Sequence, residues 1–236
     1  MPEPTRRAVL FDAAGTLIEP RVPIGETYAR VAENYGAGMT AWRVGDAFAR
    51  VWRSAPAMVY PGLPPEASAR REREAWRAIV RQTYLAADSA IRPNDFDACF
   101  EELFAYYATG AAWRVRKGAE DALVALRAAR VATAVVSNFD YRLHGILADV
   151  GLGALLDLVW LPSNAGVAKP DLAMFRSALS ALRVAPGRAL FVGNDEQKDL
   201  AGARAAGIRA VDVASLATLA DLPALLEREL PEDPTR

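Results

Sequence analysis

A single cysteine and a single histidine in 236 residues remove several chemistries at once. Cys99 alone makes neither an internal disulfide nor a cysteine-based zinc site. His144 alone falls short of the ligand count of a histidine-rich zinc centre. No G-x-S-x-G elbow accompanies it, so a Ser-His-Asp triad lacks its nucleophile. His144 sits in the mostly apolar helical stretch LHGILADVG and reads as a packing or rim residue. Cys99, between Phe96 and Phe100, reads as a small buried hydrophobe. Charge of one sign is also lacking, since the net charge is −1. Such a balance gives no electrostatic case for a nucleic-acid or membrane partner. No apolar run approaches the roughly 18 residues of a transmembrane helix, and MPEPTRRAVLFD runs straight into a strand with no room for a signal peptide. The expected location is the cytoplasm and the expected partner a small molecule. The composition carries no signal of oligomeric state.

What is present is a globular composition, 52% hydrophobic and 24% charged, on a chain long enough for a sizeable core. RRAVLF is a short apolar run followed by a Gly-Thr turn and reads as a buried strand. The next clear strand is VATAVVSN, 131–138. Between them, from about residue 20 to 112, only helical patterns occur: PIGETYARVAENYG, TAWRVGDAFARVWR, EASARREREAWRAIVRQTYLAAD and PNDFDACFEELFAYYATG. Trp42, Trp52, Trp76 and Trp113 lie in or at the edge of this stretch and read as core of a helical bundle.

Beyond residue 112 strands and helices alternate. KGAEDALVALRAAR leads into VATAVV, then DYRLHGILADVG. DLVWLP precedes DLAMFRSALSALR, RALFVG precedes EQKDLAGARAAG, and IRAVDVA precedes ATLADLPALLERE. Alternation of this kind implies an α/β fold, a doubly wound parallel sheet with helices on both faces, here interrupted by the helical insertion. The expected division is 1–19 plus 113–236 as core and 20–112 as helical insertion, with hinges near Glu19-Pro20 and Trp113-Arg116. The polar tail PEDPTR is expected to fray.

Ligands of such sheets bind beyond the carboxyl ends of the strands. Four polar groups stand there in order: Asp12-Ala13-Ala14-Gly15-Thr16, Ser137-Asn138, Ala168-Lys169-Pro170-Asp171, and Gly193-Asn194-Asp195 with Asp199. A strand-end carboxylate can attack phosphorus or carbon and form an ester, which makes Asp12 the candidate nucleophile. Gly15 permits a tight turn, and Thr16 with nearby backbone N–H groups can hold an anion. Ser137 and Asn138 are candidate substrate-binding residues. Lys169 is one of only three lysines, with Lys117 and Lys198, in an arginine-rich chain; it can neutralise the nucleophile and the transferred group. Asp195 and Asp199 can hold magnesium, with the Asp12 carboxylate and the Ala14 carbonyl completing an oxygen set. Each group also has a plainer role: turn residue, helix cap, first-turn helix acid or solvated lysine. Their ordered recurrence after successive strands is what argues for a site.

FDAAGTL, VVSNFD, AKPD and FVGNDEQKDLAGARAAG resemble the four ordered motifs of the haloacid dehalogenase superfamily, over nearly the whole chain. VVSNFDYRLHGIL further resembles the subgroup labelled haloacid dehalogenase-like hydrolase domain-containing protein three. The resemblance implies a Rossmann-like hydrolase with a helical cap, an aspartate nucleophile and magnesium. It also marks two departures. Phosphatases of the superfamily carry a proton-donating aspartate two residues after the nucleophile, where this chain has Ala14; a general acid is worth about 10²–10⁴-fold. Their fourth motif begins Gly-Asp, where this chain has Asn194 followed by Asp195. Phosphonoacetaldehyde hydrolases share the alanine but need a cap lysine, and the segment 20–112 has none. The dehalogenases proper use a cap arginine, for which Arg43 is the candidate, and a tyrosine where this chain has Phe175. Three functions follow as expectations: a magnesium-assisted hydrolase of small phosphate esters, a metal-independent dehalogenase-type hydrolase, and a non-catalytic anion-binding or interaction protein.

Overall fold

The computed structural model describes residues 6–231 and resolves the chain into two compact units, Met1–Glu19 with Val115–Arg236, and Pro20–Arg114. Most of the tail PEDPTR, expected to fray, lies outside the described residues.

The first unit is an α/β sandwich. Its sheet has five parallel strands. The first, β1 (Ala8–Phe11), is central and is paired along its whole length with β4 (Ala132–Val136) and β6 (Ala189–Gly193). Strands β5 (Leu158–Trp160) and β7 (Arg209–Asp212) form the edges. The three inner strands read AVLF, ATAVV and ALFVG and are buried at every residue. Continuous apolar runs without alternation are what a sheet covered on both faces demands. Connections run through α5 (Ala119–Ala128), α6 (Leu143–Asp149), α7 (Pro162–Ala165), α8 (Leu172–Leu182) and α9 (Gly202–Ala205), and the unit closes on α10 (Leu222–Glu229). Phe175 of α8 meets Phe191 of β6 edge-on, with centroids 5.4 Å apart. Beside them Gly202 lies so close to the Phe175 ring that a Cβ would stand 2.7 Å from it. The chain leaves β1, returns at β4 and steps outward to β5, then crosses β1 to β6 and β7. That change of direction places the crevice at the carboxyl ends of β4, β1 and β6.

Two three-residue strands, β2 (Ile18–Pro20) and β3 (Trp113–Val115), pair as a separate ribbon at the two points where the chain passes between the units. Neither strand is visible in the residue pattern. Three residues are too few to show a period.

The second unit is helical. Its elements are α1 (Ile24–Asn34), α2 (Ala41–Ser54), α3 (Pro65–Ala87) and α4 (Phe96–Tyr106). Tyr28, Val31, Val44, Val80, Tyr84 and Phe100 are among its buried core. Gly25 and Gly45 let α1 and α2 touch backbone to backbone, since a Cβ on Gly25 would lie 2.3 Å from the Ala41 carbonyl. The tryptophans are not all core. Trp113 is buried, Trp52 and Trp76 are half-buried and stacked at 5.1 Å, and Trp42 is 69% exposed. Cys99 is buried and 3.6 Å from the Tyr84 hydroxyl. No helix among the described residues is long and apolar enough to cross a membrane.

Candidate active site

Asp12 follows the last residue of β1, and its backbone N–H continues the ladder by donating to the Val192 carbonyl at 2.9 Å. The central strand therefore dictates where the carboxylate stands. After it the chain turns sharply. Gly15 has φ +89°, in the left-handed region that favours glycine. A Cβ there would also meet the Asn194 amide nitrogen at 2.8 Å. Inside the turn Gly15 N–H donates to Ile18 and Thr16 N–H to Ala13, so these two groups are committed to the fold and not to an anion. The N–H groups of Ala13 and Ala14, the two residues that follow the nucleophile, take no part in the turn's own backbone bonds. Thr16 is fully buried, and its hydroxyl donates to Asn194 Oδ1 at 3.4 Å. It braces the turn. Arg116, expected only near a hinge, also braces it, donating through Nη1 to the Gly15 carbonyl at 2.6 Å.

Lys169 lies in the loop between α7 and α8, and its side chain reaches into the crevice. Its ammonium donates to Asp12 Oδ1 at 2.7 Å and to Asp199 Oδ1 at 2.5 Å, and the side chain is 2% exposed. It also lies 5.3 Å from the centroid of the Phe191 ring below. Burial alone would push the lysine down, but the two carboxylates outweigh it and hold the ammonium above its ordinary value. Burial pushes the Asp199 carboxyl up, against the pull of Lys169 and with the push of Asp12's charge. Two acids share one cation.

Asp199 reaches this place by an unusual local geometry. Asp195 ends the strand segment as an N-cap, its Oδ1 accepting from Gln197 and Lys198 N–H at 3.0 and 2.8 Å. A π-helical turn follows over Glu196–Ala201, where a continuous helix EQKDLAGARAAG was expected. The turn points Asp199 back over Gly193, where its Oδ2 accepts from the N–H groups of Asn194 and Asp195, each at 3.1 Å. Turns of this type are frequent at functional sites. Asp195 and Asp199, the residues expected to hold magnesium, make bonds of their own within this segment. Both Asp199 oxygens are engaged by Lys169 and the backbone, and Asp195 caps. Among the described residues no three His, Cys, Asp or Glu side chains gather as a metal cluster.

Ser137 directly follows β4 and is buried. Asn138, expected to bind substrate, is engaged with a neighbouring loop. Its amide holds the Lys169 backbone through both termini. Just beyond, buried Asp140 accepts from Arg142 Nε at 2.8 Å and Nη2 at 2.6 Å, a clasp that fixes the loop after β4. In AKPD, Asp171 caps α8 by accepting from Ala173 N–H at 2.8 Å. His144, Lys117 and Arg43 are exposed, and Arg43 lies 5.8 Å above the Trp42 ring. Phe175 is fully buried.

The comparisons fit this architecture. A model of the haloacid dehalogenase-like hydrolase family matches residues 6–207. Haloacid dehalogenase-like hydrolase domain-containing protein 3 of Bos taurus is 33% identical over 214 residues, covering 88% of this chain and 82% of its own. Phosphoserine phosphatase of Thermus thermophilus is 48% identical over a shorter stretch of 65 residues, 28% of this chain and 26% of its own. Among solved structures, one described as a dehalogenase superposes with a TM-score of 0.70 at 20% identity, covering 93% of this chain and 96% of its own. On the match of the family model across most of its length, the chain belongs to the haloacid dehalogenase-like hydrolase family and is a hydrolase.

Proposed function

We propose that this hydrolase cleaves small phosphate monoesters through Asp12. The observation that carries the reading is the Lys169 ammonium seated on Asp12 Oδ1, at the carboxyl end of the central strand. In the proposed reaction the second Asp12 oxygen attacks phosphorus, the ester P–O bond breaks, and the leaving oxygen departs with the bonding pair as an alkoxide or phenolate that takes its proton from water. Water then attacks the aspartyl phosphate, releasing inorganic phosphate and restoring the carboxylate. Lys169 offsets the charge of the nucleophile and of the phosphoryl oxygens, and Ser137 with the Ala13 and Ala14 N–H groups supplies hydrogen bonds to those oxygens. No side-chain acid stands at position 14, so esters with good leaving groups are favoured.

Magnesium is the cofactor the family implies. The residues that would hold it are Asp12 and Asn194, Asp195 and Asp199 through their side chains and Ala14 through its carbonyl. An oxygen-only set suits a hard cation that keeps waters and takes further ligands from the substrate phosphate. When bound, magnesium would neutralise phosphoryl charge.

The helical unit serves in this reading as the cap that excludes water and selects the substrate. Balanced charge and a single buried cysteine suit a cytoplasmic enzyme acting on a small anionic molecule. A halide substrate is not favoured: the residues considered for it are a surface arginine stacked on tryptophan and a phenylalanine locked in the core. The test is turnover of nitrophenyl phosphate and of an alkyl phosphate, with and without magnesium, by wild type and Asp12→Asn. Phosphate release by wild type and none by the variant is expected. Equal release by both would refute the reading.

A further inference from the structure

We propose that Asn138 is a positioning residue that sets the place of Lys169, and that it does not act by contacting substrate. The inference rests on the reading of Asp12 and Lys169 as the working pair.

Asn138 Nδ2 donates to the Lys169 carbonyl at 2.9 Å, and Asn138 Oδ1 accepts the Lys169 N–H at 2.8 Å. The two bonds form a closed ring between one side-chain amide and one residue's backbone. The orientation of the amide is dictated by its partners, because a backbone carbonyl only accepts and a backbone N–H only donates. A primary amide supplies a donor and an acceptor in one plane at the required separation; serine, aspartate and alanine do not.

The location gives the ring its meaning. Asn138 stands two residues beyond the end of β4, the strand paired with β1, so it is referenced to the same frame as Asp12. Lys169 has no such frame. It lies outside regular structure, between α7 and α8, and its loop is otherwise tied by the Asp171 N–H to the Ala168 carbonyl and by the Asp171 cap. A lysine has a flexible four-carbon stem. To place its ammonium 2.7 Å from Asp12 with 2% of the side chain exposed, the backbone at 169 must be held. The Asn138 ring holds it to the sheet that carries the nucleophile. A displacement of about 1 Å in a catalytic group costs on the order of 10²-fold in rate.

A double-mutant cycle of Asn138→Ala and Lys169→Met tests the coupling. Turnover of nitrophenyl phosphate and calorimetric binding of orthovanadate, a mimic of the transferring phosphoryl group, are measured on all four proteins. Asn138→Ala is expected to lower kcat by about 10²-fold with little change in KM, and to weaken vanadate in the presence of Lys169 but not in Lys169→Met. Equal weakening in both backgrounds would mean direct contact with the ligand and overturn the proposal. So would a raised KM with kcat retained, or no change at all. Full turnover by Lys169→Met would instead sink the underlying reading of the pair. Asn138→Asp keeps size and the accepting oxygen but sets a carboxylate against the Lys169 carbonyl. It is expected to lose kcat in the same way, and it carries the test if the alanine variant does not fold. Wild-type kcat in Asn138→Asp also overturns the proposal.

Discussion

Asp199 packs so closely on Gly193 that a Cβ at position 193 would stand 2.6 Å from its carboxylate. The glycine at the end of β6 is therefore part of the seat of the acid that holds Lys169. Gly193→Ala is expected to push Asp199 aside, lower turnover, and destabilise the fold by about 1–3 kcal/mol as an overpacked core does. Thermal melting and phosphate release, measured together, check it. A variant that melts and turns over as wild type would mean the contact yields freely.

Asp12→Asn removes one of two acids competing for a single ammonium. Lys169 keeps Asp199 and can donate to the new amide oxygen. Turnover is expected to vanish while the melting temperature stays level or rises. A large drop in stability would show that Asp12 serves the fold more than the chemistry.

Lys169→Met leaves two adjacent acids without their cation. Breaking a buried pair costs about 3–5 kcal/mol. Asp199, already pushed up by burial, goes higher still, so the folded state binds its proton more tightly than the unfolded chain. The destabilisation is therefore absent below the carboxyl's unfolded value, grows as pH rises above it, and is complete above the raised folded value. In wild type the lysine's slope has the same sign but falls at alkaline pH. Lys169 is held above its ordinary value, so its contribution is complete below about pH 10.4 and is lost only as pH climbs through the higher folded value. Denaturant unfolding of both proteins across pH reads the two trends. A pH-independent difference between them would contradict this account.

Ala14→Asp places a carboxyl where the family's phosphatases keep their proton donor. A positioned acid is worth about 10²–10⁴-fold, and one without supporting groups gives less. The gain is expected for alkyl phosphates, whose alkoxide leaves badly, and not for nitrophenyl phosphate. Ala14 is partly exposed, so the longer side chain has room. An equal change on both substrates would mean that proton donation is not what limits turnover.

The strands were legible because β1, β4 and β6 are unbroken apolar runs, and polar residues at their ends mark the crevice without any contact being known. Partner choice was not legible. Nothing in the spacing of Asp195 and Asp199 says that one caps a π-helical turn and the other turns back to a lysine thirty residues earlier in the chain. Asn138 and Arg116 were missed as braces for the same reason. Each bonds a backbone atom of a distant residue, and a backbone atom leaves no trace in the sequence. The ribbon β2–β3 is likewise a pairing between segments far apart, each too short to signal itself.

The placement of β1 has a consequence for how the protein is made. The strand leading to Asp12 is made before both of its neighbours, yet Ala8 pairs with Ala132 on one side and Ala189 on the other. Its four apolar residues, wholly sequestered in the finished protein, wait unpaired through most of translation. Contacts this remote slow folding and leave an aggregation-prone segment open meanwhile. A nascent chain released before β6 has emerged holds its nucleophile but has no complete sheet to mount it on. Newly synthesised protein should therefore acquire protease resistance only after the last third of the chain is complete, and depend on chaperones until then.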